Sequence, residues 1–300
     1  MIAAPPETTQ RTLVVNADDL GFVPSVTRGI LESIERGVVR SASLMVNMGN
    51  ADEAVRGIAS LADRGIDVGV GLHFNVVVGE PLLPSASLTD SRGHFQPLSV
   101  HAWRAWRRAL DLGAMERELR AQLERAQSLL RGIGATVTHI DSHRHSHCLP
   151  GVYEIVTRVA REHAIPHVRQ PIESTTTLLG RPHAVVATRI LRGLVGDLPA
   201  YDATRFAGVA LMRSPTFGAD VERLLSTLPA GATELMVHPG HDSPELAAID
   251  SYRAPREREL QALTSPELRA TIEARGIALA RFGATAPPAS APTRAAPAGS

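Results

Sequence analysis

The chain has 300 residues, 44% of them hydrophobic, which is enough for one large α/β domain or two small ones around a sizeable core. Its 31 basic residues balance 31 acidic ones, so no overall charge excess points to nucleic acid or an anionic membrane surface as a partner. Every basic residue is arginine and there is a single cysteine, Cys148, which together exclude Schiff-base lysine chemistry, a P-loop lysine, a carbamylated-lysine metal bridge, an intrachain disulfide and a cysteine-rich zinc finger.

In chain order, residues 1–11 read as a flexible N-terminus. Met1 to Gln10 have neither a basic nor an apolar region of the signal-peptide kind, so none is expected. Short Val/Ile/Leu runs then alternate with longer helical patterns. Strands are predicted over Thr12–Ala17, Ser41–Val46, Asp67–Phe74, Thr136–Asp141, His167–Arg169, Phe206–Ala210, Thr233–His238 and Ile277–Phe282. Helices are predicted over Pro24–Arg36, Ala51–Arg64, His101–Arg131, Gly151–Glu162, Arg181–Val195, Gly218–Leu228 and Pro255–Arg275. Pro24 sits in the first turn of its helix, where proline is favoured. The alternation predicts a parallel sheet buried on both faces, open or closed into a barrel. Residues 284–300 are almost all Ala, Pro, Ser and Gly and read as a disordered tail, leaving a domain over 12–283. No apolar stretch reaches the ~18–20 residues of a membrane span. The one cysteine suits a reducing setting, and a cytoplasmic location is expected.

Ionisable residues fall at the ends of the strands. Asp18 and Asp19 close the first apolar run, His73 the third, His143 the fourth and His238 the seventh. In a barrel-like α/β fold those carboxyl ends share the rim that carries the active site. Asp19, His73 and His143 form the best ligand set, two imidazoles and one carboxylate that leave a divalent ion open positions. Such a set suits zinc and tolerates magnesium, manganese, cobalt or iron. Asp18 is then free to act as general base. Neighbours on a strand face opposite ways, so Asp18 and Asp19 can share a site only where the strand breaks, and Leu20-Gly21 is expected to supply that break. His238 could protonate a leaving group. Base, acid and Lewis acid together are the equipment for hydrolysing an amide or ester.

Other residues carry more than one reading. His145 and His147 alternate with His143, and one of them is read as a further ligand or a substrate contact, against a solvent-facing loop. His139 is read as structural. Asp141 could orient a ligating imidazole or, with His145, approach the substrate. Arg169 could steady Asp18 or bind a substrate oxygen. Trp103, Trp106 and Leu110 lie on one helical face, read as core packing, with an aromatic flap over a sugar or lipid-bearing substrate as the alternative.

Five motifs in order carry a family resemblance. They are Asn16-Ala17-Asp18-Asp19-Leu20-Gly21, Arg40-Ser41-Ala42-Ser43-Leu44-Met45-Val46-Asn47, Gly69-Val70-Gly71-Leu72-His73-Phe74, the run His139 to His147, and Glu234-Leu235-Met236-Val237-His238-Pro239-Gly240. Ser251-Tyr252-Arg253, the run Arg256 to Leu260 and Ser265-Pro266-Glu267-Leu268 are also similar. The chain resembles the YdjC-like carbohydrate deacetylases over roughly residues 12–282. That family includes chito-oligosaccharide and hopanoid-associated deacetylases.

The resemblance implies a distorted (β/α) barrel of the glycoside hydrolase/deacetylase type. It also implies removal of an N-acetyl group from an amino sugar, on an oligosaccharide or glycolipid. By the same likeness Asp19, His73 and His143 match the metal ligands, Asp18 the base and His238 the acid. One divalent ion, zinc or magnesium, is expected, and a homodimer is compatible. Leu20 departs from the phenylalanine usual in the family, and about residues 75–135 match only loosely, which leaves the particular sugar open. The rival readings are a metal-dependent phosphoesterase or amidohydrolase and a non-catalytic sugar-binding relative.

Overall fold

The computed structural model describes residues 9–173, 182–195 and 197–284. The tail expected over 284–300 therefore lies, but for Ala284, outside the described residues, as do residues 1–8 and the first residue of the helix expected over Arg181–Val195. The described strands are β1 (Arg11–Leu20), β2 (Ser41–Leu44), β3 (Gly69–Phe74), β4 (Val137–Ser142), β5 (Arg205–Ala207), β6 (Gly231–Val237) and β7 (Ala278–Leu279). The helices are α1 (Pro24–Glu35), α2 (Ala51–Asp63), α3 (Leu98–Trp106), α4 (Leu112–Arg131), α5 (Val152–Glu162), α6 (Pro182–Val195), α7 (Phe217–Ser226), α8 (Pro244–Ile249), α9 (Ala254–Leu263) and α10 (Pro266–Ala274).

All pairings among the named strands are parallel, in the order β4-β3-β2-β1-β6-β5, with β7 added to the start of β1. Parallel pairing requires each connection to cross over, and the helices supply the crossovers. Residues Leu13 to Leu20 of β1 are buried without interruption, as expected for a central strand covered on both faces. The sheet curls towards closure. Val168 bridges Ile140 of β4, and Glu173 bridges Phe206 of β5, so residues 168–173 span the gap between the edge strands. This is a distorted α/β barrel, and the segment expected as a strand over His167–Arg169 is a seam made of single bridges. The interior is tight: a methyl group on Gly71 would sit 2.4 Å from the His139 ring.

Two long predicted helices are each broken in two. The pattern over His101–Arg131 divides at residues 107–111, where Arg108 adopts φ 54° and the Asp111 side chain accepts the amide of Ala114 to start α4. The pattern over Pro255–Arg275 divides at Ser265, whose hydroxyl accepts the amide of Leu268 ahead of Pro266 in the first turn of α10. The first break overturns the expected packing of the tryptophans. Leu110 is no longer on the helix, the core side of α3 is formed by His101 and Ala105, and Trp103 and Trp106 are 58% and 76% exposed.

Candidate active site

Parallel strands bring their carboxyl ends to one rim, and the sequence puts Asp18-Asp19, His73, His143 and His238 there. All five line a cavity of about 340 Å³. Asp19 itself makes the break that lets adjacent carboxylates share it. Its φ is +71°, a left-handed conformation uncommon for a non-glycine residue, and the β1–β2 register shifts between Ala17 and Leu20. The turn expected at Leu20-Gly21 thus begins one residue earlier.

Asp19 stands between His73 and His143. Its Oδ1 lies 3.2 Å from His73 Nε2 and 2.8 Å from His143 Nδ1. Its Oδ2 accepts from Arg256 Nη2 at 2.6 Å. The other face of His73 is fixed, Nδ1 lying 2.7 Å from Asp141 Oδ1. Asp141 Oδ2 accepts in turn from Ser43 at 2.7 Å. A carboxylate behind one imidazole nitrogen selects the tautomer that leaves a lone pair on the other.

Asp18 turns to the opposite partner. Arg169 donates to it twice, Nη1 to Oδ2 and Nη2 to Oδ1, both at 2.7 Å, and Asn16 Nδ2 donates to Oδ1 at 3.0 Å. Nε and Nη2 of Arg169 also reach Glu234 Oε1, at 3.0 and 2.6 Å. His238 Nε2 lies 3.9 Å from Asp18 Oδ2. The backbone amide of His238 donates to Glu259, and the Tyr252 ring packs 5.3 Å from the imidazole.

The electrostatics follow from burial. Desolvation would raise the Asp18 carboxyl, but the Arg169 guanidinium outweighs it and holds the group well below the usual range. Burial likewise opposes ionisation of Asp19, and His143 and Arg256 reverse it. His73 would be pushed down by burial, yet Asp141 and Asp18 drive it up to about 10. The site's own charges thus favour a positive charge where His73 Nε2 meets Asp19.

The donor set fits a divalent ion. Asp19, His73 and His143 offer one carboxylate oxygen and two ring nitrogens converging within 4.8 Å; among the described residues His143 Nε2 is buried without a hydrogen-bond partner, and His73 Nε2 has only the 3.2 Å contact to Asp19 Oδ1. One oxygen and two nitrogens suit zinc better than magnesium, which prefers all-oxygen sites. A second acidic group, Asp18, His73 and Asp141, also converges, but the Arg169 guanidinium already lies between its two carboxylates, 2.6 Å from Asp141.

The remaining sequence candidates separate. His145, with φ +53°, lies on the cavity wall, and burial holds its imidazole well below its ordinary value, so it is neutral there. His147 does not reach the cavity. Its Nε2 donates to the Arg169 carbonyl at 2.9 Å, its Nδ1 meets Ser142, and burial pushes it down to about 4. Asp141 and Arg169 are buried beneath the cavity and absent from its wall, so the reading of either as a substrate contact gives way to one of positioning. His139 is buried in the barrel, bonded to Ser43 and Thr138 and packed on Phe282.

Sequence reasoning left Arg256 and Glu234 without roles. Arg256 is fully buried, clamps Asp19 and Asp250, and lines the cavity with Nη1 unpartnered among the described residues. The available signal was the Ser251 to Leu260 run, whose buried arginine departs from ordinary helix patterning.

Fold and site together define an α/β-barrel protein with a buried carboxylate–imidazole cluster and a separate arginine-held carboxylate on its carboxyl rim. The chain belongs to the YdjC-like protein family, whose profile matches residues 12–274. It is 36% identical over 275 residues to a carbohydrate deacetylase of Geobacillus stearothermophilus, covering 91% of this chain and 97% of that one. It is 32% identical over 276 residues to a chitooligosaccharide deacetylase of Yersinia pestis, covering 91% and 98%. A crystal structure from Enterococcus faecalis V583, of a protein put forward for cellobiose-phosphate cleavage, superimposes with a TM-score of 0.70. Its identity is 24%, with 92% of this chain and 98% of that one covered, and it supports the fold.

Proposed function

We propose that this protein is a metal-dependent carbohydrate N-deacetylase that removes the acetyl group from an N-acetylated amino sugar, giving acetate and a free amine. The observation that carries the reading is the division of labour between adjacent side chains: Asp19 joins two imidazoles, while Asp18, at the same cavity, is held apart by Arg169. The relatives named as carbohydrate and chitooligosaccharide deacetylases supply the substrate class.

Asp19, His73 and His143 would hold the ion, with zinc favoured by the donor set. Bound there, it would polarise the acetamide carbonyl and lower the pKa of an attacking water from ~15.7 towards ~7. Asp18 faces the cavity as an ionised carboxylate and takes the water's proton. Because Arg169 lowers its basicity, Asp18 keeps that proton weakly and can pass it on. His238, 3.9 Å away, is placed to protonate the departing nitrogen, without which an amine is a poor leaving group. The unpartnered Nη1 of Arg256 is a donor for a substrate oxygen, and His145 is a neutral wall for the sugar.

The test is acetate release from N-acetylated chito-oligosaccharides, with mass spectrometry for loss of one acetyl group. Chelation should abolish release and zinc should restore it. Phosphate release instead, or binding without turnover by metal-loaded protein, would overturn the proposal.

A further inference from the structure

Both tryptophans of the chain lie on α3, and neither belongs to its buried side. Trp103 is 58% exposed and Trp106 76%, on the side of the helix away from His101 and Ala105. Exposed tryptophan at this level forgoes a large apolar burial and marks a contact surface. Leu112, at the start of α4, adds an exposed apolar side chain.

Charge identifies the partner. The chain as a whole is neutral, but residues 91–110 carry four arginines and no carboxylate. Arg107 and Arg108 are exposed beside the tryptophans, and the Arg107 guanidinium lies 5.7 Å from the Trp103 ring. Arg104 donates to the Ser87 carbonyl. Among the described residues none of Arg104, Arg107 and Arg108 has an acidic partner within ion-pair distance. Tryptophan flanked by unpaired arginine on a short helix is the composition that settles at the boundary of an anionic bilayer, ring at headgroup depth and guanidinium on phosphate. A neutral sugar would make no use of three cations, and a second copy of this face would set arginine against arginine.

The placement is also directed. The segment bearing α3 leaves the carboxyl end of β3 directly after Phe74, and His101 Nε2 donates to the Val76 carbonyl at 2.9 Å, three residues past His73. The aromatic helix is therefore tied to the rim that carries the cavity. We propose that the Trp103/Trp106 face of α3, with Arg107 and Arg108, is a docking surface for an anionic lipid bilayer. It is a peripheral contact, and among the described residues no helix is long and apolar enough to cross a membrane.

The experiment uses the full chain and its own fluorescence. Trp103 and Trp106 are its only tryptophans, so emission reports this surface alone. Vesicles of phosphatidylcholine with a third phosphatidylglycerol should shift the emission to the blue, and brominated lipid should quench it. Pure phosphatidylcholine should do much less, and salt should reverse the effect. In sedimentation with the same vesicles, Arg107→Gln with Arg108→Gln should weaken binding about 25-fold, from about fivefold per arginine. Trp103→Ala with Trp106→Ala should weaken it further while leaving hydrolysis of a soluble substrate intact. Unchanged emission with anionic vesicles overturns the proposal. So does a blue shift produced by chito-oligosaccharide or by raising the protein concentration alone, which would assign the face to sugar or to self-association.

Discussion

Arg169 and Asp18 meet through two parallel hydrogen bonds of 2.7 Å, both side chains buried, so the carboxylate cannot rotate without breaking both. Bidentate pairing of this kind fixes direction as well as charge. It leaves Asp18 one task, at the cavity edge, and separates it from its neighbour Asp19.

Asp18→Asn should retain the metal and lose turnover. The amide keeps the shape but cannot take a proton, so acetate release should fall about 100- to 10,000-fold. Metal content by atomic emission should stay at the wild-type ratio. Full activity in this variant would remove Asp18 from the mechanism.

Asp141→Asn should act on affinity for the ion. Asp141 fixes His73 Nδ1 at 2.7 Å, and partners of this kind tune metal binding about 10- to 100-fold. Competition against a chromophoric chelator measures the change. An unaltered affinity would mean that His73 is oriented by something else.

Arg256→Lys should combine two losses. A lysine cannot clamp Asp19 and Asp250 while also offering Nη1 to the cavity. Metal affinity should drop, and even at saturating metal kcat should remain about tenfold or more below wild type. Recovery of full kcat at high metal would restrict Arg256 to holding Asp19.

Stability should fall on the alkaline side because of His167. Burial would lower this imidazole, but Asp202, 2.6 Å from Nδ1, and Glu234 raise it from 6.5 to about 9. The His139 ring lies 6.4 Å away, and Arg169, two residues on, shares Glu234 with it. A raised value in the folded state stabilises fully below about pH 6.5, and the benefit is lost as pH climbs through 9. The gap corresponds to on the order of 3 kcal/mol. Melting temperatures from pH 6 to 10 should decline, and His167→Gln should flatten that decline. An identical slope in the variant would place the effect elsewhere.

Gly29→Ala should disturb the His238 side of the site from behind. A methyl group there would lie 2.5 Å from the Gly240 Cα, in the turn that follows His238-Pro239. Overpacking of this sort costs about 1–3 kcal/mol. A lower melting temperature with a reduced kcat is expected, and a variant indistinguishable from wild type would show that the turn can yield.

The ends of the buried strands were legible because each is a short apolar run closed by an ionisable residue. That is why Asp18, Asp19, His73, His143 and His238 could be placed on one rim. The pattern could not say which histidines turn inward. His145 and His147 have the same spacing, and only the left-handed φ at Arg144 and His145 sends one to the cavity and the other behind Arg169. Glu234 was hidden because it lies mid-strand, in register with Val14, where an apolar residue is expected. Helix breaks at Arg108 and Ser265 were partly readable, the second from its Ser-Pro pair and the first only from a backbone torsion. The exposed tryptophans were misread as core because a helical wheel extended through Leu110 assumes a helix that has already ended.

The seam over residues 168–173 has a mechanical consequence. Arg169 is attached to the barrel where pairing is thinnest, by amide links between its own N–H and Ile140 and between Ile140 and His167. Local opening there would free the guanidinium before the rest of the sheet loosens. On warming, catalysis should therefore fade several degrees ahead of the main unfolding transition, and amides along this seam should exchange with deuterium sooner than those of β1.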